Sequence, residues 1–345
     1  MTVTSKVVGE AGQAEEAAAR PAGLTVEAAL YVGIAILAAL LRLWGLDAWP
    51  LRVEEASQAL GGWPRALGLP GGVREYSPIL MTGNLILFSL SRAGDFAARL
   101  WPALFGVALA LTPALLRRRL GRGGALLASC LLAISPTVVF ASRSLDGRIA
   151  AAAAGLALLA TLDRLVEGDS RRGITLAAAA GAVGLLSAPM FYSIVLILGV
   201  GLALLWALRA PLGIEAALQR AGAAWRQCRG EAAAWARGGA LFAGLLLVLD
   251  GFGAAADLFP AWLHWFAWDE NSLGPLVPLW SLALYEPLAL LFGVAGMVAG
   301  WRRRDATRLL LGWWTAVGLA LSVAAGGWRP PELILSAIPL AMLAG

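Results

Sequence analysis

Apolar segments recur along the whole chain, each close to the roughly 20 residues that a helix needs to cross a bilayer. Hydrophobic residues make up 59% of the 345 residues and charged residues only 14%, whereas a soluble domain has about 25% charged residues. The sequence therefore predicts an all-α, polytopic membrane protein with about 10 transmembrane helices. The candidate spans are residues 27–46, 97–116, 124–141, 149–166, 173–189, 191–208, 239–254, 279–300, 308–325 and 332–345.

Arginines are concentrated in alternate loops between these spans, such as Arg117–Arg119 and Arg302–Arg304. This is the positive-inside pattern, and it predicts a multi-pass protein of the plasma (inner) membrane with a cytoplasmic N-terminus. The apolar segment 77–91 is short, and counting it as a span would place Arg117–Arg119 outside. We therefore expect it to be an interfacial helix on the outer leaflet.

The sequence predicts one membrane domain, residues 25–345, preceded by a mobile cytoplasmic tail, residues 1–24. The tail has an acidic flank and lacks the features of a signal peptide. The longest cytoplasmic loop, residues 209–238, carries Trp225, Trp235 and several arginines at helical spacing, which favours an amphipathic helix lying on anionic lipid. We expect no soluble domain.

Several function classes are excluded by composition. The basic clusters are short and split between loops, which argues against nucleic acid as a partner. No P-loop is present, which argues against nucleotide hydrolysis. With one histidine, and with Cys130 in a span and Cys228 in a loop, neither a zinc site nor a disulfide is expected. No cofactor is indicated with certainty, and a divalent cation beside Asp146 is left open.

The predicted topology gathers the candidate functional residues on the extracytoplasmic face. The outer loops are residues 47–96, 142–148, the turn near Pro189, 255–278 and 326–332. We interpret residues 47–96 as an active-site loop.

Glu54 and Glu55 stand side by side in the first outer loop, near Arg52 and Arg74. A partly buried carboxylate within hydrogen-bond reach of an acceptor hydroxyl can serve as a general base. The alternative is a solvated interfacial loop without chemistry.

The turn between the third and fourth spans places Asp146 between Arg143 and Arg148. A guanidinium can bind a lipid-linked phosphate through its forked donors, with the aspartate orienting it, holding a cation or binding the acceptor. The alternative is an interfacial salt-bridge cap.

Trp262, Trp265 and Trp268 are spaced by three, which predicts one face of a helix. They form either the aromatic belt of the interface or a platform for a sugar ring or prenyl chain. Arg329 opens a rigid turn before the last span, where it either binds a phosphate or ends a helix.

The order of these motifs resembles the GT-C superfamily of membrane glycosyltransferases, which use polyprenyl-phosphate-linked sugars and include protein O-mannosyltransferases and aminoarabinose transferases. The matching segments are Arg42-Leu43, Glu54-Glu55-Ala56, Tyr76-Ser77-Pro78, residues 97–106, Ile134-Ser135-Pro136 and Ser142-Arg143 with Asp146. Residues 284–288 and 338–345 are similar to a narrower archaeal and Chloroflexi branch, described as flippase-associated in protein glycosylation.

The resemblance implies that Glu54 stands in place of the catalytic aspartate, Glu55 in place of its neighbouring glutamate, and Asp146 in place of the second-loop acid. Glutamate at position 54 departs from the family by one methylene. The candidate contacts for the donor phosphate, sugar or prenyl chain are Arg74, Tyr76, Arg143, Arg148, Trp265, Trp268 and Arg329.

Two functional hypotheses follow. The first is an enzyme that moves a sugar from a polyprenyl-phosphate donor to a hydroxyl on a protein or glycolipid acceptor at the extracytoplasmic face. The second is a non-catalytic GT-C-like subunit that binds or helps translocate lipid-linked sugars. A transporter is less favoured, because the spans carry few mid-membrane charges.

Overall fold

The computed structural model describes residues 25–60, 77–90, 94–166, 169–212, 214–249, 251–268, 270 and 272–345. Within these ranges the chain consists of helices joined by turns, and no strand occurs, which confirms the all-α prediction. The helices are α1 (Val26–Leu43), α2 (Val53–Leu60), α3 (Pro78–Leu90), α4 (Asp95–Leu111), α5 (Arg117–Ile134), α6 (Pro136–Ser142), α7 (Arg148–Val166), α8 (Ser170–Leu185), α9 (Met190–Ala207), α10 (Arg209–Leu212), α11 (Glu215–Arg229), α12 (Ala232–Val248), α13 (Gly251–His264), α14 (Val277–Tyr285), α15 (Pro287–Arg303), α16 (Ala306–Ala324) and α17 (Ile334–Ala344). Short 3-10 helices cover Thr112–Leu116 and Pro330–Leu333. The predicted tail, residues 1–24, lies outside the described residues.

Four helical segments of the described chain are long and apolar enough to cross a membrane. They are α1, α4 continued into α5, α9 and α16. The number rises to six if α11 with α12, bent by 82°, and α14 with α15, bent by 99°, each form one span. A membrane protein is therefore supported, whereas the count of about 10 spans stays a prediction.

Two predicted spans are interrupted where a proline follows a polar residue. Residues 124–141 break at Ser135, and residues 279–300 break at Glu286. Proline lacks an N–H and is favoured at the first position of a helix, so Pro136 and Pro287 each begin a new one. The two breaks lie against each other. Glu286 is buried and accepts hydrogen bonds from the Ser135 hydroxyl and, at 3.1 Å, from the backbone N–H of Thr137.

The core of the bundle is built around the alanine-rich helix α7, which packs against α4, α8 and α9. Its small side chains let neighbouring backbones approach closely. A Cβ atom added at Gly155 would lie 2.6 Å from the Ile194 side chain of α9. The last helix, α17, is buried along residues 334–343 and packs against α15 and α16.

Arg42 ties the end of α1 to the ends of two other helices. Its guanidinium is fully buried and donates to the carbonyl oxygens of Leu132 (3.0 Å) and Ala133 (2.9 Å). It also donates to the Ser142 hydroxyl at 3.2 Å. Because carbonyls at a helix C-terminus lack intrahelical partners, an arginine there satisfies them and fixes the turn that follows Ser142.

The start of α1 lies at the other end of the bundle, among arginines. Glu27 forms ion pairs with Arg117 (3.5 Å) and Arg122 (3.7 Å). Arg171 pairs with Glu231 at 3.2 Å. We call this the arginine end, and the end where α1 finishes the loop end. The sequence predicts the first to be cytoplasmic and the second extracytoplasmic.

The segment predicted to be interfacial forms the short helix α3, Pro78–Leu90. It lies at the loop end, where the backbone N–H of Ile79 donates to the Leu186 carbonyl at 3.1 Å. Residues 209–238 are helical over most of their length, in α10, α11 and the start of α12. The location of both segments at a lipid surface stays a prediction.

Candidate active site

The structure brings the predicted outer loops together at the loop end. The first loop contacts the second, since the backbone N–H of Leu145 donates to Glu55 at 2.8 Å and Arg52 donates to the Ser144 hydroxyl at 3.3 Å. The last two loops contact each other through the backbone hydrogen bond from Gly327 to Trp265, 2.8 Å. These contacts place the predicted carboxylates on neighbouring turns.

Glu55 is a buried anchor rather than a free carboxylate. It forms a two-pronged ion pair with Arg99 of α4, with Oε2 at 2.7 Å from one terminal nitrogen and Oε1 at 3.2 Å from Nε. The backbone N–H groups of Arg52 (3.0 Å) and Leu145 (2.8 Å) donate to the same oxygens. Burial raises the pKa of Glu55, but the hydrogen bonds and the charge of Arg99 lower it by a larger amount, so the resulting pKa lies below its ordinary value. A carboxylate held in this way is a poor proton acceptor.

Glu54 lies on the same short helix, α2, and points away from that anchor. Its side chain is exposed, and it has no hydrogen-bond or ion-pair partner within the described part of the chain. Successive residues of a helix are rotated by about 100°, so the helix that buries Glu55 necessarily presents Glu54 elsewhere. Of the two predicted carboxylates, Glu54 is the one available for proton transfer.

Asp146 and Arg148 form the start of a polar network across the second outer turn. The Arg148 guanidinium donates to Asp146 Oδ2, and the backbone N–H of Arg148 donates to Oδ1 at 2.9 Å. The same guanidinium pairs with Glu332 at 3.0 Å. All three side chains are largely shielded from solvent, so the guanidinium is held between two carboxylates from distant parts of the sequence.

Trp265 and Arg329 complete this network on the side of Glu332. The indole N–H of Trp265 donates to Glu332 Oε2, and the backbone N–H of Arg329 donates to the same atom at 3.3 Å. The Arg329 side chain is exposed and donates to the Trp328 carbonyl at 2.9 Å, with no carboxylate partner in the described ranges. It therefore keeps donors available for an anion.

Arg143 caps the C-terminal end of helix α1, and its role as a phosphate contact stays a prediction. Its guanidinium donates to the carbonyl oxygens of Leu41 (3.0 Å), Trp44 (2.7 Å) and Gly45 (2.8 Å), at and just after the end of α1. Two other candidates, Arg74 and Tyr76, lie outside the described residues.

The prediction that Trp262, Trp265 and Trp268 share one helical face is wrong, because α13 ends at His264. Their indole N–H groups donate in different directions. Trp262 contacts the Ser193 hydroxyl at 2.8 Å, Trp265 contacts Glu332, and Trp268 contacts the Ala324 carbonyl at 3.1 Å. Only Trp265 borders the ionic network.

Sequence reasoning missed Arg99, Glu332 and Glu286. Each is a charged residue that is buried in a largely apolar chain. Such a residue needs a partner, since burying an unpaired charge is costly. That signal was available in the sequence, but the identity of each partner depends on the fold.

Gly147, between Asp146 and Arg148, is tightly packed against neighbouring residues. A Cβ atom at Gly147 would overlap the Ser187 carbonyl oxygen and lie 2.7 Å from the Ser77 hydroxyl.

Within the described ranges, no group of three or more His, Cys, Asp or Glu side chains is placed to hold a metal ion. The described site is therefore one of carboxylates and guanidinium groups.

No protein family and no curated protein matches the sequence. Solved structures do match. ArnT from Cupriavidus metallidurans, bound to undecaprenyl phosphate, has a TM-score of 0.67 and 17% identity over 92% of this chain. The archaeal oligosaccharyltransferase AglB from Archaeoglobus fulgidus, in complex with an inhibitory peptide and a dolichol-phosphate, has a TM-score of 0.60 and 14% identity over 92% of this chain.

The chain has the GT-C fold. This confirms the fold that the motifs indicated. At sequence identities of 17% and 14%, the similarity to these structures shows a shared fold. The chain spans 59% of the length of ArnT and 49% of the length of AglB.

Proposed function

We propose that the protein transfers a sugar from a polyprenyl-phosphate-linked donor to a hydroxyl acceptor at the loop end, on the extracytoplasmic face of the membrane. The supporting observation is that buried Glu55 fastens helix α2 against the turn before Asp146, so that the exposed Glu54 lies on a helix next to that turn. The donor class is supported by the GT-C fold and by the undecaprenyl phosphate and dolichol-phosphate bound to ArnT and AglB. The acceptor is a protein or a glycolipid.

Glu54 acts as the general base. It takes the proton of the acceptor hydroxyl while the hydroxyl oxygen bonds to the anomeric carbon of the sugar. The bond from that carbon to the phosphate oxygen breaks, and polyprenyl phosphate leaves with the electron pair. Inversion at the anomeric carbon follows from this single displacement. A positioned base contributes about 10²- to 10⁴-fold to such a step.

Arg329 offsets the charge that develops on the leaving phosphate, because its exposed guanidinium has no carboxylate partner in the described ranges. The charge of Arg148 is already offset by Asp146 and Glu332, so Arg148 holds these two carboxylates in position beside the site. A hydrogen-bond donor placed beside the developing negative charge stabilises the transition state. The ring of Trp265, fixed by its bond to Glu332, is the candidate platform for the sugar.

The test is sugar transfer by the purified full chain in nanodiscs, with a labelled polyprenyl-phosphate sugar and a membrane extract as the acceptor source. Glu54→Gln should lower the rate by about 10²-fold or more while the protein stays folded. Glu215→Gln, an exposed glutamate on α11, is the matched control and should leave the rate unchanged.

An unchanged rate in Glu54→Gln would rule out this residue as the base. A wild-type chain that binds the donor lipid without transferring its sugar would support the non-catalytic subunit instead. Arg329→Gln should raise the KM for donor by about tenfold, the loss of one charge-assisted contact, with Arg220→Gln as the control.

A further inference from the structure

A cleft of about 350 Å³ opens at the arginine end, away from the candidate active site. Its walls come from the last turn of α9, from α10 and from α11. The lining residues are Trp206, Arg209, Leu218, Gln219, Gly222 and Arg226. The cleft therefore joins an apolar span to the amphipathic helix that follows it.

Two arginines give this cleft an uncompensated positive charge. The Arg209 guanidinium stacks on the Trp206 ring, 4.4 Å from its centroid, and donates to the Trp206 carbonyl at 2.8 Å. Arg226 is exposed, and neither arginine has a carboxylate partner within the described ranges. Arg117 and Arg171, elsewhere at this end, do have such partners. Forked guanidinium donors without a carboxylate are suited to a phosphate.

The position of the cleft at the end of the apolar helix α9 indicates that a phosphate bound there belongs to a lipid head group. Helix α9 is an apolar span of 18 residues, and Trp206 lies in its last turn with 60% of its surface exposed. Tryptophan at the end of a span lies at the level of the lipid head groups. Val195 and Leu202 are exposed on the same helical face as Trp206, which leaves an apolar stripe below the cleft for an acyl chain.

We propose that this cleft binds the head-group phosphate of an anionic phospholipid. Arg209 and Arg226 contact the phosphate, the Gln219 amide is placed to bond the rest of the head group, and the acyl chains lie along α9. Basic pockets between membrane helices bind phosphorylated head groups by the same chemistry. The assignment is independent of sugar transfer.

The test is binding of phosphatidylglycerol to the delipidated full chain in detergent, measured by native mass spectrometry. Arg226→Gln and Arg209→Gln should each weaken binding by about tenfold, because each removes a charge-assisted contact. The matched controls are Arg220→Gln and Arg229→Gln, which remove the same charge from exposed positions of α11 outside the cleft. We expect the controls to change affinity by less than about twofold, as is usual for exposed charges.

Equal losses in all four variants would overturn the proposal, because they would indicate diffuse attraction to a basic helix. Inorganic phosphate separates a lipid from a soluble anion. The proposal requires millimolar phosphate to leave phosphatidylglycerol bound. Complete displacement would identify a site for a soluble phosphate and would also overturn it. The Arg226 side chain is exposed and forms no hydrogen bond or ion pair with other described residues. Its variant therefore tests lipid binding without loss of structure.

Discussion

Replacing Glu55 by glutamine should destabilise the protein far more than the same change at Glu54. Each oxygen of the Glu55 carboxylate accepts from one Arg99 nitrogen and from one backbone N–H group. Whichever way a glutamine amide is turned, its NH₂ group must face two donors. The variant therefore loses two hydrogen bonds and leaves the Arg99 guanidinium buried without its counter-charge.

The expected cost is about 3–5 kcal/mol, the range for breaking a buried ion pair by removing one partner. Both side chains are almost fully buried, with 6% and 7% exposed, so solvent screening reduces this little. For a domain of this size, such a loss of unfolding free energy should lower Tm by roughly 10 °C. Glu54→Gln changes an exposed side chain and should alter stability by less than about 0.5 kcal/mol.

The assay is thermal unfolding of both variants in one detergent, followed by intrinsic fluorescence and by retention of a monodisperse peak after heating. A Glu55→Gln protein with the Tm of wild type would refute the buried anchor. The double variant Glu55→Leu/Arg99→Leu provides a further check, because its cost should fall short of the sum of the two single changes.

The remaining predictions concern the same end of the bundle. The pKa of Glu55 lies below its ordinary value of 4.5, so its ion pair contributes fully to stability above that pH and is lost as the pH falls through the folded pKa. Tm should be flat near neutrality and drop at pH values below 4.5, and the part of the drop due to Glu55 should be absent in Glu55→Gln. Glu286→Leu removes the acceptor for Thr137 and Ser135 and should cost about 2 kcal/mol in denaturant unfolding; a change under 0.5 kcal/mol would contradict this role. Gly147→Ala should lower the yield of folded protein in size-exclusion chromatography, whereas Gly123→Ala, where a side chain meets open space, should not.

The membrane class and the grouping of loops were predictable from sequence, because they depend on composition and on the alternation of arginines. The short helix α3 was predictable from the length of its apolar segment. The breaks at Pro136 and Pro287 carried a local signal that was overlooked in segments apolar enough to pass for continuous spans.

The division of roles between Glu54 and Glu55 was not predictable, because it depends on Arg99 in another helix. The bridge from Arg148 to Glu332 joins distant parts of the sequence and follows only from the packing of α17 beside α6 and α7. The tryptophan spacing was misleading for a related reason. A period of three indicates a helical face only while the helix continues, and α13 ends before Trp265.

The most direct test of the whole account is a density map of the full chain with a bound polyprenyl phosphate. We predict that the phosphate lies at the loop end, between helix α2 and the turn that contains Asp146, within hydrogen-bond reach of Arg329. The Glu54 carboxylate should face the space where the sugar would stand. A phosphate bound at the arginine end alone, or on a side of the bundle remote from Glu54, would contradict the account.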